Sequence, residues 1–194
     1  MKPVDCTQTE MTYLAREFEY THTPTDEIIE PVLLPATAAR TTQEMLRSTT
    51  PDEERTEALV YWAGSQVGHG GVVTTVIAPL VTAEYGRVET SPEENATIVR
   101  WLDEHGLVLL GQAHTHPPDG GVRHSLGDDL YTFSVFEGHV SVVVPDFART
   151  TRAFAVEWGV HRFLDGAFRF LGTMPRQKHL CIVPAALDRR VFPS

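Results

Sequence analysis

Two histidines one residue apart, in His114-Thr115-His116-Pro117, are the side chains in this sequence best placed to do chemistry. They close an apolar run that reads as a strand. In a strand, residues i and i+2 face the same side, so both imidazoles can address one metal ion. Pro117 ends the strand. Downstream, Ser125-Leu126-Gly127-Asp128 brings a carboxylate. Two histidines and one carboxylate form a catalytic zinc set that leaves a fourth position for water. Such a site also needs a base, and Glu57, at the start of a neighbouring predicted strand, can reach it without being a ligand. Each part also has a plainer reading. With nine histidines in the chain, a His-x-His pair arises easily by chance. Ser-x-x-Asp is also a helix N-cap with an acid in the first turn, a role Ser125 can fill while its hydroxyl faces the site. A single Glu is most often a solvated charge.

The elements that must position these groups follow from periodicity and punctuation. Residues 28–34 read as a strand. Residues 35–47 read as a helix with Ala38, Ala39, Thr42, Met45 and Leu46 on its inner side. After a loop at 49–54, residues 57–64 form a short apolar run of the buried-strand kind. The Gly68-His69-Gly70-Gly71 turn leads into a β-branched strand at 72–79. The clearest helix is 91–105: Ser91 caps it, Pro92 takes the first helical position, Glu94 closes a capping box and Gly106 stops it. A strand at 107–114 carries the histidines to their place. A helix is expected at 126–136 and strands at 140–145, 152–158, 160–163 and 180–183, with 168–171 pairing against 160–163. Alternating strands and helices predict an α/β fold, a mixed β-sheet flanked by helices. Trp62, Trp101 and Trp158 read as core or sheet aromatics.

Composition narrows the partners. The chain has 194 residues and a net charge of −10, divided as −7 over residues 1–60, −7 over 61–140 and +4 over 141–194. An acidic body argues against nucleic acid. No apolar run approaches the length of a membrane span, and the first residues lack a secretory core. Cys6 and Cys181 show no CxxC spacing and read as free thiols of a reducing compartment. The expectation is a cytoplasmic protein that binds neither nucleic acid nor membrane. The chain has no HExxH, GxSxG, Walker or Rossmann motif.

Taken in order, Glu57 on a strand, His114-Thr115-His116-Pro117 at a strand end and Ser125-x-x-Asp128 opening a helix resemble the JAMM (MPN-plus) metalloprotease family, across roughly residues 28–145. Eight residues, Pro117 to His124, separate His116 from Ser125. That is one more than the family pattern usually has. Gly120-Gly121 can absorb the extra residue, and Asp129 stands as a rival ligand to Asp128. The resemblance implies a JAMM/MPN, cytidine-deaminase-like architecture. The catalytic domain would span 28–172, with an extension at 1–27 and a tail at 173–194 packed on it. It implies Zn²⁺ held by His114, His116 and Asp128, with Glu57 as general base and Ser125 stabilising the oxyanion. The implied activity is an isopeptidase or peptidase cleaving after the C-terminal Gly of a ubiquitin-like protein, in conjugates or precursors, alongside activating or conjugating enzymes. The compact form resembles bacterial members. The alternatives are trimming of a sulfur-carrier tail and a non-catalytic MPN-type scaffold. His124 reads as an ordinary loop residue, with orienting Asp129 or lining the cleft as its other roles.

Overall fold

The computed structural model of the protein describes residues 30–48, 56–133, 135–149, 157–174 and 178–184. In chain order the elements are β1 (Val32–Pro35), α1 (Ala36–Ser48), β2 (Leu59–Val67), β3 (Gly70–Ile77), β4 (Val81–Glu84), β5 (Arg87–Thr90), α2 (Pro92–Glu104), β6 (Val108–Thr115), α3 (Leu126–Tyr131), β7 (Val140–Val144), a 3-10 turn (Asp146–Ala148), β8 (Gly159–Leu164), β9 (Ala167–Thr173) and β10 (Leu180–Val183). Eight strands form one mixed sheet in the order β10-β1-β3-β2-β6-β7-β8-β9, and β4 and β5 form a separate hairpin. The α/β class with a mixed sheet flanked by helices is the observed one.

The central strand β2 and the residue before it show why a nearly unbroken apolar run belongs here. Ala58, Val60 and Trp62 enter the core cluster under α1, while Leu59, Tyr61 and Ala63 enter the one under α2. Both faces are covered, so both parities are apolar. α1 buries Ala39, Thr42 and Leu46, and Thr42 Oγ1 accepts the Trp62 indole N–H at 2.8 Å. α2 buries Ile98 and Leu102 on the opposite face.

A β-bulge in β6 sets the direction of the histidines. Trp62 pairs with Gly111 but Ala63 pairs with Leu109, so Leu110 is an extra residue on β6. Leu110 and Ala113 therefore both join the α1-side core, while Leu109 joins the α2-side core. The phase change leaves Gln112 and His114 on the α2 side of the sheet.

Several expectations are corrected. The helix expected at 126–136 ends at Tyr131, and Thr132 leaves it in an extended conformation. Ser91 caps α2 as expected, but Glu94 does not close the box; its Oε1 accepts the Leu80 N–H at 2.9 Å. Residues 81–90, read as no element, form the β4–β5 hairpin. Trp101 is 38% exposed and stacks on His105, whereas Trp62 and Trp158 are buried. Of the strand expected at 152–158, only 157 and 158 are described, and neither is in a strand. Ile28 and Ile29 lie outside the described residues, and β1 begins at Val32. No helix among the described residues is long and apolar enough to cross a membrane.

Arg162 on β8 ties the sheet's remote parts together. It is fully buried. Its guanidinium donates to the carbonyls of Gly138 (3.1 Å), Glu30 (2.7 Å) and His69 (2.6 Å), and Nη1 reaches His179 Nδ1 at 3.2 Å. Burial pushes its pKa down to about 10, with Glu30 and Glu137 opposing, so it stays charged at neutral pH. Arg162→Met removes every donor, leaving the buried Gly138 carbonyl and the part-buried Glu30 and His69 carbonyls without this partner. The expected loss is about 3 kcal/mol of unfolding free energy, read from urea denaturation. Arg162→Lys recovers only part of it, because one ammonium cannot span the same fork of acceptors.

Candidate metal centre

At the end of β6 three ligand atoms converge. His114 Nε2 and His116 Nε2 are 3.2 Å apart. Asp128 Oδ1 lies 3.3 Å from His114 Nε2, and Oδ2 lies 3.1 Å from His116 Nε2. Bonds of about 2.0 Å from a tetrahedral zinc set neighbouring ligand atoms roughly 3.3 Å apart, so the triangle has the edge length such an ion needs. Two imidazole lone pairs facing each other at this range repel unless a cation lies between them. His116 Nδ1 faces the Gly120 carbonyl at 3.4 Å. A proton held there leaves Nε2 free to ligate, the arrangement typical of metal-bound histidine. These residues fit a divalent metal, and the three form a candidate site among the described residues.

Electrostatics agree with the geometry. Burial would raise the Asp128 carboxyl, but hydrogen bonds from His114 and His116 and the Ser125 N–H outweigh it and hold it well below the usual carboxylate range. Burial would lower His116, but Asp128 and Glu57 outweigh it and raise its pKa. Asp128 thus favours positive charge on His116, and the two histidines favour its carboxylate.

Thr115 points away from the histidines and fixes the next strand. Its Oγ1 accepts the Ala58 N–H at 2.8 Å, and its own N–H donates to Ala58 O at 2.9 Å. That holds Glu57, the preceding residue, beside the triangle. Glu57 is 4% exposed. Burial pushes its carboxyl up to about 7; His116 pulls it down and Asp128 pushes it up. It is therefore close enough to feel two of the three ligands, and without a metal it holds its proton up to about neutral pH.

Ser125 and Asp128 form a reciprocal capping box at the start of α3. Ser125 Oγ accepts the Asp128 N–H at 3.2 Å, and Asp128 Oδ2 accepts the Ser125 N–H at 2.6 Å. The box aims the carboxylate at the histidines, so the capping and metal readings of Ser-x-x-Asp hold together. The rival, Asp129, turns away to His124 Nδ1 at 2.7 Å. The longer segment between His116 and Ser125 is taken up by a turn in which Gly120 N–H donates to Pro117 O, and its carbonyl meets His116. The same segment is pinned from below. A Cβ on Gly159 would sit 1.9 Å from Val122 O, so β8 accepts that loop only because residue 159 is glycine.

His114 and Asp128 line a cleft of about 340 Å³ whose walls also include Tyr61, Gln112, Ser125 and Tyr131 and run along β5 from Arg87 to Thr90. Tyr61 OH meets Thr90 Oγ1 at 3.1 Å, and burial pushes its pKa up to about 12. Tyr85, at the hairpin tip, donates to Asp119 Oδ1 at 2.7 Å. Glu57, His114, His116, Ser125 and Asp128 are thus brought together. Sequence reasoning missed Thr115, Gln112 and the whole β5 wall. The alternation that turns Thr115 opposite to His114 and His116 was the signal available for the first.

A mixed sheet that delivers two histidines and a helix-capping aspartate to one point, with a buried carboxyl beside them, defines a metal-dependent hydrolase. No protein-family model matches the chain. It is 34% identical over 133 residues to a probable metalloprotease, y4jG, of Sinorhizobium fredii, covering 66% of this chain and 80% of that one. A solved protein of Desulfitobacterium hafniense shares the fold at 16% identity and a TM-score of 0.58, over 79% of this chain and 93% of its own. A JAB1/MPN domain protein of Archaeoglobus fulgidus matches at 15% identity and a TM-score of 0.46, over 79% and 98%. With the Glu, His-Thr-His-Pro and Ser-x-x-Asp motif in place, the chain belongs to the JAMM (MPN-plus) metalloprotease family.

Proposed function

We propose that this protein is a zinc-dependent isopeptidase or peptidase that cleaves after the C-terminal Gly of a ubiquitin-like protein. The carrying observation is the His114–His116–Asp128 triangle, with buried Glu57 beside it and with His114 and Asp128 lining a cleft walled by an edge strand. Zinc held by the three ligands would supply a polarised carbonyl and an acidified water. Glu57 takes the proton from the attacking water as the C–O bond forms, and returns it to the amine as the C–N bond breaks. Ser125 keeps its hydroxyl hydrogen available while its oxygen serves the cap, and donates it to the developing oxyanion. A binding scaffold has no use for a non-ligand carboxyl buried beside a metal-ligand triangle, which favours the enzyme reading.

The substrate class rests on β5. Among the described residues β5 pairs only with β4, and its length lines the cleft. An extended tail can add to that edge by main-chain hydrogen bonds. Gly-Gly suits it, because the site must admit a backbone next to the metal without side chains. The protein is expected to release a ubiquitin-like protein ending in Gly-Gly from a C-terminal fusion, in the presence of Zn²⁺. Replacing the Gly-Gly with Val-Val is expected to reduce release to background, measured by mass spectrometry. Equal turnover of both tails would leave a general metallopeptidase and remove the ubiquitin-like substrate.

A further inference from the structure

The helix that carries Asp128 has no apolar anchor. α3 is six residues long and buries none of them; Leu126, Leu130 and Tyr131 are all exposed. A helix this short has no stability of its own, so its place must come from polar contacts. Those contacts converge on His124. Its side chain is only 4% exposed. Nδ1–H donates to Asp129 Oδ1 at 2.7 Å, and Ser141 Oγ donates to Nε2 at 2.8 Å. One ring proton satisfies both partners, which assigns the tautomer. The His124 main-chain N–H donates to His161 Nε2 at 3.1 Å, and the two rings stack at 3.8 Å between centroids. The network continues around the helix. Gln112 Nε2 donates to Ser141 Oγ and to Thr132 Oγ1, each at 3.3 Å, and Thr132 Oγ1 donates to the Asp128 carbonyl.

We propose that His124 is a positioning residue which, through Asp129, holds α3 so that the Asp128 carboxylate stays in the ligand triangle. β7 and β8 supply the rigid side of this device through Ser141 and His161, and Asp129 is the point where it grips the helix. Asp129 is adjacent to the ligand, so a small rotation of α3 about the missing contact carries the Asp128 oxygens away from the histidines.

This inference rests on the metal-site reading, and zinc affinity of the full chain, measured by competition with a chromophoric chelator, separates the two. Asp129 is half exposed, so its replacement leaves no cavity. Asp129→Ala is expected to weaken zinc binding about tenfold or more, the range typical of groups that orient a ligand. Asp129→Asn keeps an oxygen that accepts from Nδ1–H and is expected to stay within about threefold of the parent. His124→Ala falls at least as far as Asp129→Ala, and adding Asp129→Ala to it costs nothing more, since the contact between them is already gone. The absorption bands of the Co²⁺-loaded protein should shift in Asp129→Ala and not in Asp129→Asn. If Asp129→Asn loses as much affinity as Asp129→Ala, the effect is one of charge and the positioning role is overturned. If Asp129→Ala binds zinc like a parent that itself binds zinc, the positioning role alone is overturned. A parent chain that binds no zinc overturns both readings.

Discussion

Glu57→Gln protein is expected to cleave substrate about a thousandfold more slowly than the parent at pH 7, while binding zinc within about tenfold of it. Gln keeps the shape and a hydrogen bond but cannot accept a proton. The same substitution has a stability signature in metal-free protein. Burial holds the Glu57 carboxyl at about 7 against an ordinary 4.5. The folded state therefore binds this proton more tightly than the unfolded state does. Its contribution to stability is complete below pH 4.5 and is lost as the pH rises through 7. Gln carries no charge to bury, so the variant escapes that loss. With EDTA present, Glu57→Gln should match the parent below pH 4.5 and exceed it by about 3 kcal/mol at pH 8, read from urea midpoints. Zinc loss in this variant would make Glu57 a ligand. Undiminished turnover would place the base elsewhere.

What could be read in advance depended on how local its cause was. The His-Thr-His-Pro pair is legible because i and i+2 share a face, and the Ser125–Asp128 box because it closes within four residues. The bulge at Leu110 was not legible. Residues 107–110 are apolar on both faces, and an extra residue in such a run leaves no break in the pattern. α3 reads too long for a similar reason. Nothing local stops it after Tyr131; Thr132 follows, its hydroxyl donating to the Asp128 carbonyl and accepting from Gln112 on a strand twenty residues earlier. Glu94 obeys the capping pattern in sequence but is drawn off by the Leu80 N–H, which the β4–β5 hairpin brings within reach. Arg162 looks ordinary in the sequence because every partner that gives it a role comes from another strand or loop; for His124 the nearby Asp129 is legible, but Ser141 and His161, which fix its ring from β7 and β8, are not. The resemblance to a family supplied the order of the catalytic parts, whereas the contacts that hold those parts in register join residues far apart in the sequence.

The second large effect concerns the ligands themselves. His116→Ala and Asp128→Ala should each weaken zinc binding by more than about a hundredfold, beyond the loss seen for groups that merely orient ligands. Each leaves two protein donors where a catalytic zinc requires three. Asp129→Ala, by the argument above, should lose about tenfold. The order of these three losses tests the register of the longer His116–Ser125 segment. If Asp129 were the ligand, its substitution would show the large loss and Asp128→Ala the small one. The geometry favours Asp128, whose two oxygens lie 3.3 and 3.1 Å from the imidazole nitrogens, while Asp129 is engaged by His124. Acid should mimic the ligand variants reversibly. The metal must displace a proton from His116, whose pKa in the metal-free protein is raised by Asp128 and Glu57 against the pull of burial. Zinc affinity should therefore fall as pH drops through that titration and return on neutralisation. In His116→Ala the pH dependence should be shallower by one proton, because the competing group is gone. An unchanged slope in that variant would remove His116 from the ligand set, whatever its effect on activity.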